Sequence, residues 1–158
     1  MNRYGKRLAL SGIALLGAGA ITTAAIPSAS AGTQVLQFTG IPTSFTAIPE
    51  RSGAGATQHA GDQSFFVISL SQDGHAAGRA PHHCVAVDAN YAVCTSVAVL
   101  SGGQITMQTA LEATTTSSTL VIAVTGGTGT YRGATGQLRV VRNADGSQSW
   151  TFDLTTPN

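Results

Sequence analysis

The chain has 158 residues and a formal charge of +1, a length of about one domain. All three basic residues before Ile26 (Arg3, Lys6, Arg7) sit at the very N-terminus, and the rest of the chain holds five arginines, no lysine and seven acids, a formal charge of −2. So weakly acidic a remainder excludes the clustered Lys and Arg that a nucleic-acid partner needs.

In chain order, the basic start leads into an apolar run from Leu8 to Ile26 and then Pro27-Ser28-Ala29-Ser30-Ala31. A basic, then apolar, then small-residue segment is the pattern of a secretory signal peptide, with Ala29-Ser30-Ala31 as its A-x-A site. The competing reading is an uncleaved membrane anchor. The run is rich in Gly, Ala and Thr and exits through small residues, which favours cleavage after Ala31. The expectation is a signal peptide over 1–31, one domain over 32–158, a secreted extracellular product and no stable membrane insertion after cleavage. That domain has 127 residues, enough for one core.

The domain reads as short strands. They are expected at Gln34–Thr39, Ser64–Ser71, His83–Asp88, Tyr91–Leu100, Gln104–Leu111, Leu120–Thr125, Gln137–Arg142 and Ser149–Thr155. Turn residues separate most of them: Asp73-Gly74, Asp88-Ala89-Asn90, Gly102-Gly103 and Asp145-Gly146. The stretch from Ile41 to Asp62, rich in Gly, Pro, Ser and Thr, reads as a long loop, either over a barrel mouth or as a plain connector. Hairpin spacing throughout points to an antiparallel barrel or sandwich.

Cys84 and Cys94 flank one hairpin. With Asp88 to Asn90 as a three-residue turn, Val87 faces Tyr91, Val85 faces Val93 and Cys84 lies opposite Cys94, at cross-strand bonding distance. Outside the cell that geometry predicts a disulfide. The alternative is a free, reactive Cys84.

The segment Val124 to Val140, VTGGTGTYRGATGQLRV, contains Gly126, Gly127, Gly129, Gly133 and Gly136. A phosphate-binding loop of the P-loop type requires a lysine, and the segment has none. A dinucleotide fingerprint requires G-x-G-x-x-G before a helix. Here the third glycine of Gly127-Thr128-Gly129-Thr130-Tyr131-Arg132-Gly133 comes one place late, and a strand follows. A tight strand-to-strand corner remains.

The run Ile122 to Gly136 resembles the GGTG-x-[FY]-x-G-A-x-G corner of dirigent proteins and allene oxide cyclases. Gly61-Asp62 before a strand, the Cys84 strand and Gly103-Gln104-Ile105-Thr106-Met107-Gln108 fall in the matching order, so the resemblance extends over most of Gly61 to Leu154. It implies an all-β fold, a single eight-stranded antiparallel barrel with an apolar cavity, and a trimer. Plant members cyclise an unstable fatty-acid epoxide or steer the coupling of phenolic radicals. Bacterial relatives include natural-product cyclases. The resemblance therefore implies a barrel that binds an apolar small molecule and steers its cyclisation or coupling, without a cofactor. A non-catalytic ligand-binding or structural extracellular barrel is the alternative.

The site residues follow from the same comparison and from strand alternation. The pocket Glu and Asn of the cyclases' first strand match Gln37 and Thr39 here, which replaces a carboxylate by an amide. Their pocket Cys matches Cys84, which the hairpin pairs with Cys94. Dirigent proteins use pocket aspartates as acids. In this chain Asp153 would face a lumen only if Trp150 and Phe152 face outward; with the aromatics inward it is a surface charge. His82 and His83 point to opposite faces, so a metal site is not expected. His82 is a candidate lumen acid or base. Phe65, Tyr91 and Arg139 complete the expected substrate contacts, Arg139 for a ligand carboxylate and Tyr91 for a polar ligand tip.

Overall fold

The computed structural model describes residues 32–48, 57–112 and 117–157. The expected signal segment lies outside them. Among the described residues no helix is long and apolar enough to cross a membrane.

Eight antiparallel strands close into a barrel in sequence order: β1 (Gly32–Ile48), β2 (Gln63–Gln72), β3 (His75–Ala86), β4 (Tyr91–Leu100), β5 (Gly103–Glu112), β6 (Thr119–Gly127), β7 (Thr135–Arg142) and β8 (Gln148–Thr156). β1 closes the barrel by pairing with β8 from Gly32↔Thr156 to Gly40↔Gln148. Closure removes the free sheet edges that an open eight-stranded sheet would expose.

Alternation assigns the two faces. Along β8, Trp150, Phe152 and Leu154 are buried, while Ser149 is exposed and Thr151, Asp153 and Thr155 are only partly covered. Their neighbours Leu138 and Val140 on β7 and Phe38 on β1 also face inward. Phe38 meets Phe152 edge-on with ring centroids 6.1 Å apart. Burying each such aromatic or aliphatic side chain contributes about 1.5–3 kcal/mol. A one-residue slip of β8 would expose all three of its core residues, so the core fixes the register.

Two strands are longer than the sequence predicts. β1 continues through what reads as a loop, as far as Ile48. A register shift between Pro42 and Ser44 makes room for a proline that has no N–H to give, and the Thr43 hydroxyl donates to the Val67 carbonyl at 3.1 Å. β3 begins at His75 rather than His83. Gly78 and Pro81 hide this half of the strand, because both are depleted in regular sheet. Pro81 pairs with Val67 on β2, and Gly78 lies where any Cβ would strike the Val99 carbonyl.

The glycine run is a corner. A short 3-10 turn, Gly129–Tyr131, joins β6 to β7 and folds the Tyr131 ring into the core. A Cβ at Gly127 would collide with the carbonyls of Tyr131 and Gln104. Gly136 has φ of 129° and packs on the Asp153 carbonyl, a conformation and an approach open only to glycine. The Tyr131 amide donates to the Thr128 carbonyl, and the Ala134 amide to that of Tyr131.

The β3–β4 hairpin has the expected register, with Val85↔Val93 and Cys84↔Cys94, and the two cysteines form a disulfide. Both sulfurs belong to the inward face. The Asp88 carboxylate accepts the amides of Asn90 and Tyr91 at 2.7 and 2.9 Å, which orders the turn. The ten-residue separation of the bridge predicts that replacing both cysteines by alanine lowers the unfolding free energy by about 2–3 kcal/mol. Urea denaturation of the oxidised protein and the double variant measures this, and thiol labelling of the unreduced wild type should add no mass.

Candidate functional site

The barrel has two ends. One carries the β2–β3 and β4–β5 turns and the glycine corner; the other carries the remaining connections. The second end opens into a cavity of about 90 Å³. Its walls come from β2 to β8: Phe66, His82, the Cys94 end of the disulfide, Ser96, Thr109, Leu111, Leu120, Ile122 and Val140. Ser117, Ser118, Arg142 and Gln148 line it as well. Among the described residues no carboxylate lines it.

His82 is the distinctive group. It is 9% exposed and lies flat on Phe66, with ring centroids 4.4 Å apart and planes inclined by 10°. Trp150 meets it edge-on at 5.9 Å. The Trp150 indole N–H donates to the Gln148 side-chain oxygen at 2.8 Å, which fixes the indole. His82 Nε2 is buried and has no hydrogen-bond partner among the described residues. Burial lowers its pKa to about 4, so the ring is neutral at pH 7. A neutral imidazole in an apolar wall can accept or donate one hydrogen bond at Nε2, according to tautomer.

The sequence-predicted residues divide by strand parity. His82 faces the cavity, and the disulfide borders it through Cys94. The others do not reach it. Gln37 and Thr39 flank the inward Phe38, so they lie on the outer face, in an open hollow of about 460 Å³ shared with Ser71, Asp73, Ser149 and Thr151. Asp153 is also outside, because Trp150 and Phe152 point inward. The Gln137 amide donates to its carboxylate at 3.5 Å, and its position is that of the surface charge expected for this orientation. Arg139 is exposed on the same outer face, and Tyr91 is 48% exposed at the start of β4. Phe65 stacks on His83 at 4.6 Å on the outer wall, and His83 Nε2 bonds the Gln63 side-chain oxygen at 2.9 Å. The five glycines of the corner lie at the opposite end, where Leu36, Phe38, Leu100 and Tyr131 line a separate open hollow of about 270 Å³, and take no part in the cavity.

Sequence reasoning passed over Phe66, Ser96, Arg142 and Gln148. The signal was present in β8. Its apolar face holds Trp150, Phe152 and Leu154, and Gln148 continues that face. The pair Arg142↔Gln148 then brings Arg142, rather than Arg139, to the interior side. Among the described residues no three His, Cys, Asp or Glu side chains come together as a metal site.

No protein-family model matches the chain, and no curated protein does. Solved structures do. A pyocyanin demethylase superposes with a TM-score of 0.65 at 22% identity, over 77% of this chain and 99% of that one. A pterocarpan synthase dirigent protein gives 0.63 at 12% identity, over 88% and 97%. A Diels Alderase from Streptomyces koyangensis gives 0.63 at 13% identity, over 80% of this chain and 64% of the other. The chain thus shares its closed eight-stranded barrel with these structures, the fold that its glycine corner leads one to expect; at these identities the likeness is one of fold.

The depressed pKa of His82 sets a pH dependence. The unfolded chain protonates this ring near the ordinary value of 6.5, and the folded state only near 4. Between those values the unfolded state binds more protons, so stability falls as the pH drops from about 6.5 to 4 and the loss levels off below that. The loss attributable to His82 is at most about 3 kcal/mol. Denaturation midpoints at pH 7 and pH 4 measure it, and His82→Phe, which keeps the stack on Phe66, should remove that part of the slope.

Proposed function

We propose that this protein is a secreted barrel that encloses a small apolar molecule in its lumen and steers the cyclisation or coupling of that molecule by confinement. The observation that carries this reading is the largely apolar cavity at one end of the barrel, walled by the neutral His82 imidazole and, among the described residues, by no carboxylate. Such a site offers little acid–base power. It offers a fixed shape, aromatic walls and exclusion of water, which are the means by which a reactive molecule is held in one conformation. Structural neighbours named as a dirigent protein and as a Diels Alderase support the same class of chemistry. Secretion rests on the N-terminal pattern and is consistent with the disulfide.

One observation favours a second reading. The cavity of about 90 Å³ is small beside ordinary ligand pockets of about 300–1,000 Å³. A barrel filled by its own side chains, with a structural role, would have such an interior. The single tryptophan separates the two. Trp150 packs against His82, so a guest in the lumen should change its fluorescence. Titration with a panel of one- and two-ring apolar compounds should give saturable quenching for at least one. Native mass spectrometry should show the same complex. A flat response across the panel, with no adduct, would favour the filled barrel.

The homotrimer implied by the superfamily resemblance belongs to this proposal. The outer wall of β2 to β4 exposes Phe65, Val85 and Val93 together, an apolar strip suited to contact between copies. Light scattering should return three times the protomer mass; a constant monomer mass across concentrations would remove the trimer.

A further inference from the structure

Among the described residues the lumen's polar groups include one guanidinium, one imidazole and no carboxylate, which constrains the guest more narrowly than apolarity alone. Arg142 is exposed at the end of β7 and lines the cavity; His82 is buried deeper in the wall with Nε2 unpaired. The rest of the lining is apolar or aromatic, apart from the hydroxyls of Ser96, Thr109, Ser117 and Ser118 and the Gln148 amide, whose oxygen is occupied by Trp150. A guanidinium lining a cavity without an acid attracts an anion, and an apolar wall strengthens that attraction relative to water. A buried imidazole nitrogen without a partner is costly until something supplies one. The stacked rings of Phe66 and His82 form the aromatic part of the wall, with Trp150 packed edge-on behind His82.

We infer that the guest is a small flat aromatic acid, with its anionic group held at the mouth by Arg142 and a hydrogen-bonding atom at its buried end paired with His82 Nε2. This inference rests on the lumen being the binding site, as proposed above. A cavity of about 90 Å³ limits the buried part to about one ring. Arg142 then acts as the selector of charge, and His82 as the selector of the group at the far end. Neither assignment requires a proton to be transferred.

Three probes of one ring test it by isothermal calorimetry: 4-hydroxybenzoate, benzoate and 4-hydroxybenzamide. The expected order has 4-hydroxybenzoate tightest, with about tenfold lost on removing the charge and about fivefold on removing the hydroxyl. Arg142→Gln should abolish the advantage of 4-hydroxybenzoate over the amide and leave the hydroxyl preference. His82→Phe should abolish the hydroxyl preference and leave the charge preference. Arg142 is exposed, so its variant reports on the charge even if His82→Phe proves unstable. If the amide binds as well as the acid, or Arg142→Gln keeps the preference, the inference fails while lumen binding stands. If none of the three binds but an uncharged apolar compound quenches Trp150, the inference again fails alone. If nothing binds, both fail.

Discussion

The packing of Trp150, Phe152 and Leu154 into the barrel interior is the constraint on which the rest of the molecule depends. Strand side chains alternate without exception outside a bulge, so choosing the inward face of one strand chooses it for every strand paired in register. β8 is paired on both sides, with β7 and with β1. Its aromatic face therefore fixes Leu138 and Val140 inward on one side and Phe38 inward on the other. The ladder carries the choice around the barrel to His82, Cys84 and Cys94. Each of these positions has its role because of a decision made by three bulky side chains at the C-terminal end of the chain.

The two ends of the barrel use that interior differently. At one end the glycine corner brings backbone close enough to backbone for Tyr131 to fold inward, and the core is continuous with it. At the other end the lining thins to small and polar side chains, and the cavity opens toward Arg142 and Ser117. Glycine is used where the chain must turn sharply and pack on itself, and the space is left where side chains shorten. The disulfide lies inside the wall at this open end, where it ties β3 to β4 beside the cavity.

A site that holds, among the described residues, one imidazole, one guanidinium and no carboxylate has a limited chemical repertoire. Strong acid or base catalysis would require a group titrating near the working pH, and burial keeps His82 neutral well below it. The proposed function therefore rests on recognition and confinement. Those depend on shape and desolvation, which act through the whole wall rather than through a few reactive groups.

Much of this architecture is determined by the sequence alone. Hairpin spacing and β-branched runs specify the strands, the register around Asp88 to Asn90 pairs Cys84 with Cys94, and the failure of the glycine run to match any phosphate loop leaves a corner as its role. The adjacency of His82 and His83 places them on opposite faces whichever face is inward. The extra length of β1 and β3 was not legible, because Pro42, Gly78 and Pro81 disfavour sheet locally and are held there by pairing with distant strands. The site was legible only in part. Gln37, Thr39, Arg139 and Asp153 have the chemistry of pocket residues, and alternation by itself leaves two equivalent assignments of inside and outside. Only the closed barrel resolves them, because burying the β8 aromatics against β7 and β1 is a long-range event that no local pattern encodes. That event turns Asp153 outward, leaves Gln37 and Thr39 on the outer wall, and brings His82 and Arg142 to the same cavity.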